Sequence, residues 1–207
     1  MLHHIERTMS LRKIRLFACA WAFHDWRLLA DERSQDAVLI GEAFADSQSN
    51  TAALAEAHAA ATAARAAVDP LKGGRHVRGL KSQMGEFASR RAADVARAAA
   101  SPSLSIRDMT GLAVWASGTE QCFLADLIRE LIGNPFQSVV GDPRWRTSDV
   151  IGLAQAIYEE KAFERMPILA DALMDAGCED EQLIAHCRGE SQHVRGCWLV
   201  DLVLGNA

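Results

Sequence analysis

From Arg165 to Cys178 the chain reads Arg-Met-Pro-Ile-Leu-Ala-Asp-Ala-Leu-Met-Asp-Ala-Gly-Cys, and this stretch decides the fold. Pro167 fits a first helical turn, where its missing N–H leaves no bond unmade. Ile168, Leu169, Ala172 and Leu173 recur at helical spacing, and Gly177 stands where a left-handed cap would end the helix. Glu179-Asp180-Glu181 then places acid at the start of a short helix through Cys187, which the helix dipole favours. Gly189 closes that helix. A last helix is expected to start at Ser191 or His193, with Val194, Cys197, Trp198, Val200, Leu202 and Val203 largely apolar.

The same grammar runs upstream. Ser10 caps a helix with Leu11, Ile14, Phe17 and Trp21 on one face, and Asp31 to Ser34 opens a second helix running to about Ala45. Thr51 starts an alanine-dominated helix through Val68, stopped by Asp69-Pro70 because the residue before proline is pushed out of helical geometry. Further helices are expected over Ile106 to Ser117 and Thr119 to Ile132, the latter ended by Gly133-Asn134-Pro135. Phe136 to Arg146 reads as irregular, with Val139-Val140 a candidate extended pair. Thr147-Ser148 caps a helix through Tyr158, whose apolar stripe Ala162-Phe163 continue. No segment alternates with period two, so the expectation is an all-α, single-domain multi-helix bundle over 1–207. A subdivision, if there is one, falls near 98–108 at Ser101-Pro102-Ser103, separating the alanine-rich helices of 1–100 from 106–207.

Composition narrows function by exclusion. At 207 residues with 49% hydrophobic content, a single domain buries roughly 70% of its unfolded surface and needs no staple to fold. A formal charge of −5 speaks against wholesale binding of nucleic acid or an anionic membrane, which requires clustered cations. Five cysteines without regular spacing fit reduced thiols in a cytoplasm better than a disulfide scaffold. Neither a cleavable leader nor an apolar run of the roughly 18 residues that span a bilayer is visible, so a cytoplasmic protein is expected. The basic segment Lys72 to Arg97 offers Arg75, Arg78, Lys81, Arg90 and Arg91 as candidate phosphate contacts. Phe87 is its only aromatic, too few for a stacking platform, and a solvated helix face explains the charges as well. Gly73-Gly74 lacks the context of a phosphate-binding loop.

The histidines and cysteines near the carboxyl end carry the remaining chemistry. His193 and Cys197, four apart, would share one face of a helix, and His186 or Cys187 could add another donor, with Cys178 a further candidate for a zinc site. No Cys-x2-Cys knuckle is present, and the intervals fit no standard zinc ribbon. Cys187 or Cys197, activated by His193 or His186, would be the nucleophile of a thiol enzyme, yet Trp198, Leu199 and Val200 predict an apolar and inert surrounding for Cys197. The plainer expectation is that Cys178, Cys187 and Cys197 pack in the core while His186 and His193 join helices. On that expectation the chain needs no cofactor. The adjacent His3 and His4 diverge and make no site.

The segments Leu-Ile-Gly-Asn-Pro-Phe (131–136), Asp-Pro-Arg-Trp (142–145), Ile-Tyr-Glu-Glu-Lys-Ala-Phe-Glu-Arg-Met-Pro-Ile-Leu-Ala-Asp-Ala-Leu (157–173), Ala-His-Cys-Arg-Gly (185–189) and His-Val-Arg-Gly-Cys-Trp (193–198) resemble those of a large group of small bacterial proteins. Arg-Lys-Ile-Arg-Leu-Phe-Ala-Cys-Ala (12–20) is similar as well. That group has no assigned activity. Some members occur near a short domain that accompanies repeat proteins, so the resemblance implies an adaptor. The expected function is a protein-interaction or regulatory module with a protein partner. A metal- or thiol-dependent enzyme is the first alternative and nucleic-acid binding through 72–97 the second.

Overall fold

The Ser10 hydroxyl accepts the Lys13 amide, and the first helix, α1, runs Leu11–His24. The structure, a computed structural model, describes residues 9–67, 80–114, 116–134, 136, 139–190 and 192–206, with backbone alone for 80–84. The rest of the first half comprises α2 (Glu32–Ala45), α3 (Thr51–Ala67), α4 (Leu80–Ala99) and α5 (Ile106–Ala113). Next come α6 (Gly118–Ile132), α7 (Ser148–Glu160), α8 (Met166–Asp175), α9 (Glu181–Arg188) and α10 (Trp198–Leu204). Single 3-10 turns lie at Trp26–Leu28, Pro143–Trp145 and Phe163–Arg165. Among the described residues there is no strand, and the fold is an all-α multi-helix bundle. None of the described helices is long and apolar enough to cross a membrane.

The chain divides into two compact units, Met1–Ala125 and Asp126–Ala207. The Ser101-Pro102-Ser103 break lies inside the first, between α4 and α5. In that unit Trp21, Leu16, Phe17 and Ala22 of α1, Ala37 and Val38 of α2, Leu54 and Ala61 of α3, and Val95, Ala96 and Ala99 of α4 are buried. Small side chains let these helices come close. A Cβ added to Gly41 of α2 would sit 2.6 Å from the Ala99 carbonyl oxygen of α4. The end of α4 is tied down by Arg15, whose guanidinium donates to the Ala99 and Ser101 carbonyls at 2.5 and 2.9 Å.

The second unit packs α7 with α8 and α10, and α8 with α9, around Ile157, Met166, Leu169, Leu173, Leu183, Leu199 and Val200. Burial of each such side chain stabilises by about 1.5–3 kcal/mol before entropy is subtracted. The expected punctuation is observed: Thr147 accepts the Val150 amide, Pro167 lies in the first turn of α8, and Asp180 accepts the Gln182 and Leu183 amides. Gly133 and Gly177 hold left-handed φ values of +69° and +83°.

Several boundaries differ from expectation for visible reasons. Ser117 does not extend α5 but caps α6, its hydroxyl accepting the Glu120 amide while the Glu120 carboxylate accepts the Ser117 amide. Lys161 is left-handed at φ +55°, so α7 stops, and Ala162-Phe163 enter a 3-10 turn instead of prolonging its stripe. Val139-Val140 belong to no ladder. The largest difference is the last helix, which begins at Trp198 and not at 191 or 193, because Gly196 turns the chain at φ +86°. The Asp69-Pro70 stop, Gly73-Gly74, His3, His4 and Ser191 lie outside the described residues.

Candidate functional site

Glu130 occupies the last turn of α6, on the face that also carries Leu127 and Leu131, and only 4% of its surface is exposed. Around its carboxylate, within the second unit, gather His186 from the end of α9, His193 from the connection after it, and Cys197 from the turn that leads into α10. One donor atom from each of the four lies within 4.8 Å of every other. The His193 Nδ1–H donates to Glu130 Oε1 at 3.0 Å, and His186 Nε2 stands 3.5 Å from Oε2 and 3.2 Å from Cys197 Sγ. The two imidazoles meet edge to face with centroids 4.9 Å apart.

Trp198 fixes the far side of His186: its indole N–H donates to Nδ1 at 3.3 Å. An indole only donates, so the proton of a neutral His186 sits on Nε2 and faces Glu130 and Cys197. Gly133 gives Trp198 its place, since a Cβ there would lie 3.0 Å from the indole Cδ2. Burial lowers the pKa of His186; Glu130 opposes that shift and His193 adds to it. The buried Nε2 of His193 has no hydrogen-bond partner among the described residues.

The sequence candidates separate clearly. His186, His193 and Cys197 are brought together, although His193 and Cys197 do not share a helix face: His193 precedes the Gly196 turn, and Cys197 is the residue before α10. Cys178 and Cys187 stay outside the cluster, buried in the apolar core. Glu130 was not anticipated. The signal available in the sequence was a carboxylate on an otherwise apolar helix stripe, three residues after Leu127.

A thiol nucleophile needs a lowered pKa, and the cysteines here are moved the other way. Burial, with the charge of Glu130 adding to it, holds the Cys197 thiol well above its ordinary value, and Cys187 is pushed up to about 12 by burial first. Cys178 is raised by burial as well. Of the nucleic-acid candidates, Arg91 turns inward and pairs with Asp25 and Glu120, while Arg90 is half-buried. The side chains of Arg75, Arg78 and Lys81 lie outside the described residues. What the four clustered groups can do chemically is share protons around one buried carboxylate or surround one cation. Family models, curated proteins and solved structures yield no match to this chain.

Proposed function

We propose that the protein is a non-enzymatic interaction module whose C-terminal unit engages a protein partner through an apolar surface on the connection between α6 and α7. One observation carries this reading: Phe136 and Val140 stand 84% and 82% exposed, whereas the groups suited to chemistry are interior. Apolar side chains displayed this fully, with polar reactive groups withdrawn, favour recognition over catalysis. Beside Val140, a small cleft of about 120 Å³ lined by Gly141, Pro143, Trp145, Leu173, Leu183 and Leu202 could take a partner's aliphatic side chain. The resemblance read in the C-terminal motifs would fit a regulatory or adaptor role. Five free cysteines fit a reducing, cytoplasmic setting.

The test compares the wild-type chain with a Phe136→Ser, Val140→Ser double variant by proximity labelling in a native host. Both changes are at exposed positions, so stability should stay within about 0.5 kcal/mol. A partner set lost only from the variant supports the reading. Identical sets from the two proteins refute it.

A further inference from the structure

We propose that Glu130, His186, His193 and Cys197 hold one zinc ion in a closed, four-ligand site that joins the end of α6, the end of α9 and the turn before α10. Tetrahedral zinc with bonds of about 2.0–2.3 Å separates its ligand atoms by about 3.3–3.8 Å. Three of the six donor pairs stand 3.0, 3.2 and 3.5 Å apart, and all lie within 4.8 Å. Side-chain shifts of up to about an ångström would bring them to the 3.3–3.8 Å of a tetrahedral shell. The charges also match, since one carboxylate and one thiolate cancel a divalent ion, with two neutral imidazoles completing the shell. A mixed set of thiolate, imidazole and carboxylate suits zinc and disfavours magnesium or calcium, which require oxygen.

With four protein ligands no open position is left, so the ion is structural and the site does not compete with the interaction reading. Loading exchanges protons for the ion: the Cys197 thiol proton passes to solvent, the His186 proton moves from Nε2 to Nδ1, and the His193 proton moves from Nδ1 to Nε2 so that Nδ1 can bind. The Trp198 N–H then loses its acceptor, and the indole becomes a reporter of loading.

The experiment uses the full chain and cobalt(II) as a spectroscopic stand-in for zinc. Wild type should take up one equivalent, with a thiolate-to-cobalt charge-transfer band in the near ultraviolet and the intense visible absorption of a tetrahedral centre. Trp fluorescence should change in step. Cys197→Ser should lose the near-ultraviolet band, and Cys122→Ser, at an exposed cysteine outside the cluster, should keep it. Glu130→Gln, a near-isosteric change, should weaken binding at least about tenfold while keeping the wild-type far-ultraviolet circular dichroism. Absence of stoichiometric cobalt in wild type, persistence of the thiolate band in Cys197→Ser, or unchanged affinity in a folded Glu130→Gln would each overturn the proposal. None of these readouts depends on a partner, so failure here leaves the docking surface standing.

Discussion

Both units bury charge, but they neutralise it differently. In the first unit the buried charges include two arginines, Arg15 and Arg91, whose guanidiniums meet fixed oxygens: two backbone carbonyls for one, two carboxylates for the other. The second unit buries an anion, Glu130, against two imidazoles and a thiol, groups whose charge depends on where protons sit. The first arrangement is permanent. The second can be altered by pH or by a cation, which is why chemistry concentrates there although both are interior.

Removing the cation in the first unit should produce the largest loss. Arg91→Met leaves Asp25 and Glu120 facing each other without a counter-charge, and breaking a buried pair from one side costs about 3–5 kcal/mol. Urea denaturation at pH 7 measures it. A cost below about 1 kcal/mol would mean that the pairing is dispensable and that the contrast between the units is overstated. The matching change in the second unit is Glu130→Ala, compared in chelator so that metal plays no part. It strips the acceptor from His193, at about 1–3 kcal/mol for the unsatisfied group, while the Nε2–H of His186 keeps Cys197 Sγ at 3.2 Å; it also removes the charge that burial penalises. A net loss of about 1–2 kcal/mol is expected, smaller than for Arg91→Met. The reverse order would show that Glu130, and not the arginine network, is the more costly charge to disturb.

Gly133→Ala tests how the second arrangement is held in place. The substitution combines a left-handed backbone with a Cβ 3.0 Å from the Trp198 ring. A loss of about 1–2 kcal/mol is expected from the backbone alone. Because Trp198 fixes the ring of His186, near-ultraviolet circular dichroism of the tryptophans should change as well. A loss of stability with an unaltered tryptophan signal would separate the glycine from the cluster.

How much of this was legible depended on range. Helix ends are written locally, so Ser10, Asp31, Thr147, Pro167 and Asp180 each marked a boundary that the structure bears out. The last helix misled because Gly196 has two meanings in sequence, a tolerated helical glycine or a positive-φ turn, and only packing selects the second. His193 and Cys197 were therefore paired for the wrong reason: they meet because the chain turns between them. Glu130 lies 56 positions before His186, and no local rule connects residues that far apart. An acid on a Leu-rich stripe was the one hint, and it says that a partner exists without saying which.

The smallest effect separates the two kinds of buried charge most sharply. In the native state burial, partly offset by Glu130, depresses the His186 pKa below its ordinary 6.5. Below about pH 6.5 the unfolded chain therefore takes up a proton that the folded chain still refuses. Stability contributed by this group is complete above that pH and is lost as acid carries the solution down through the folded pKa, with a slope of at most about 1.4 kcal/mol per pH unit. The buried guanidinium of Arg15 contributes no such slope between pH 5 and 7, since a guanidinium stays protonated throughout that range. Urea melts of chelated protein across that range, on wild type and His186→Asn, isolate the term. The asparagine variant should show a shallower decline on acidification, and an equal slope in both proteins would place the proton-sensitive charge somewhere other than this imidazole.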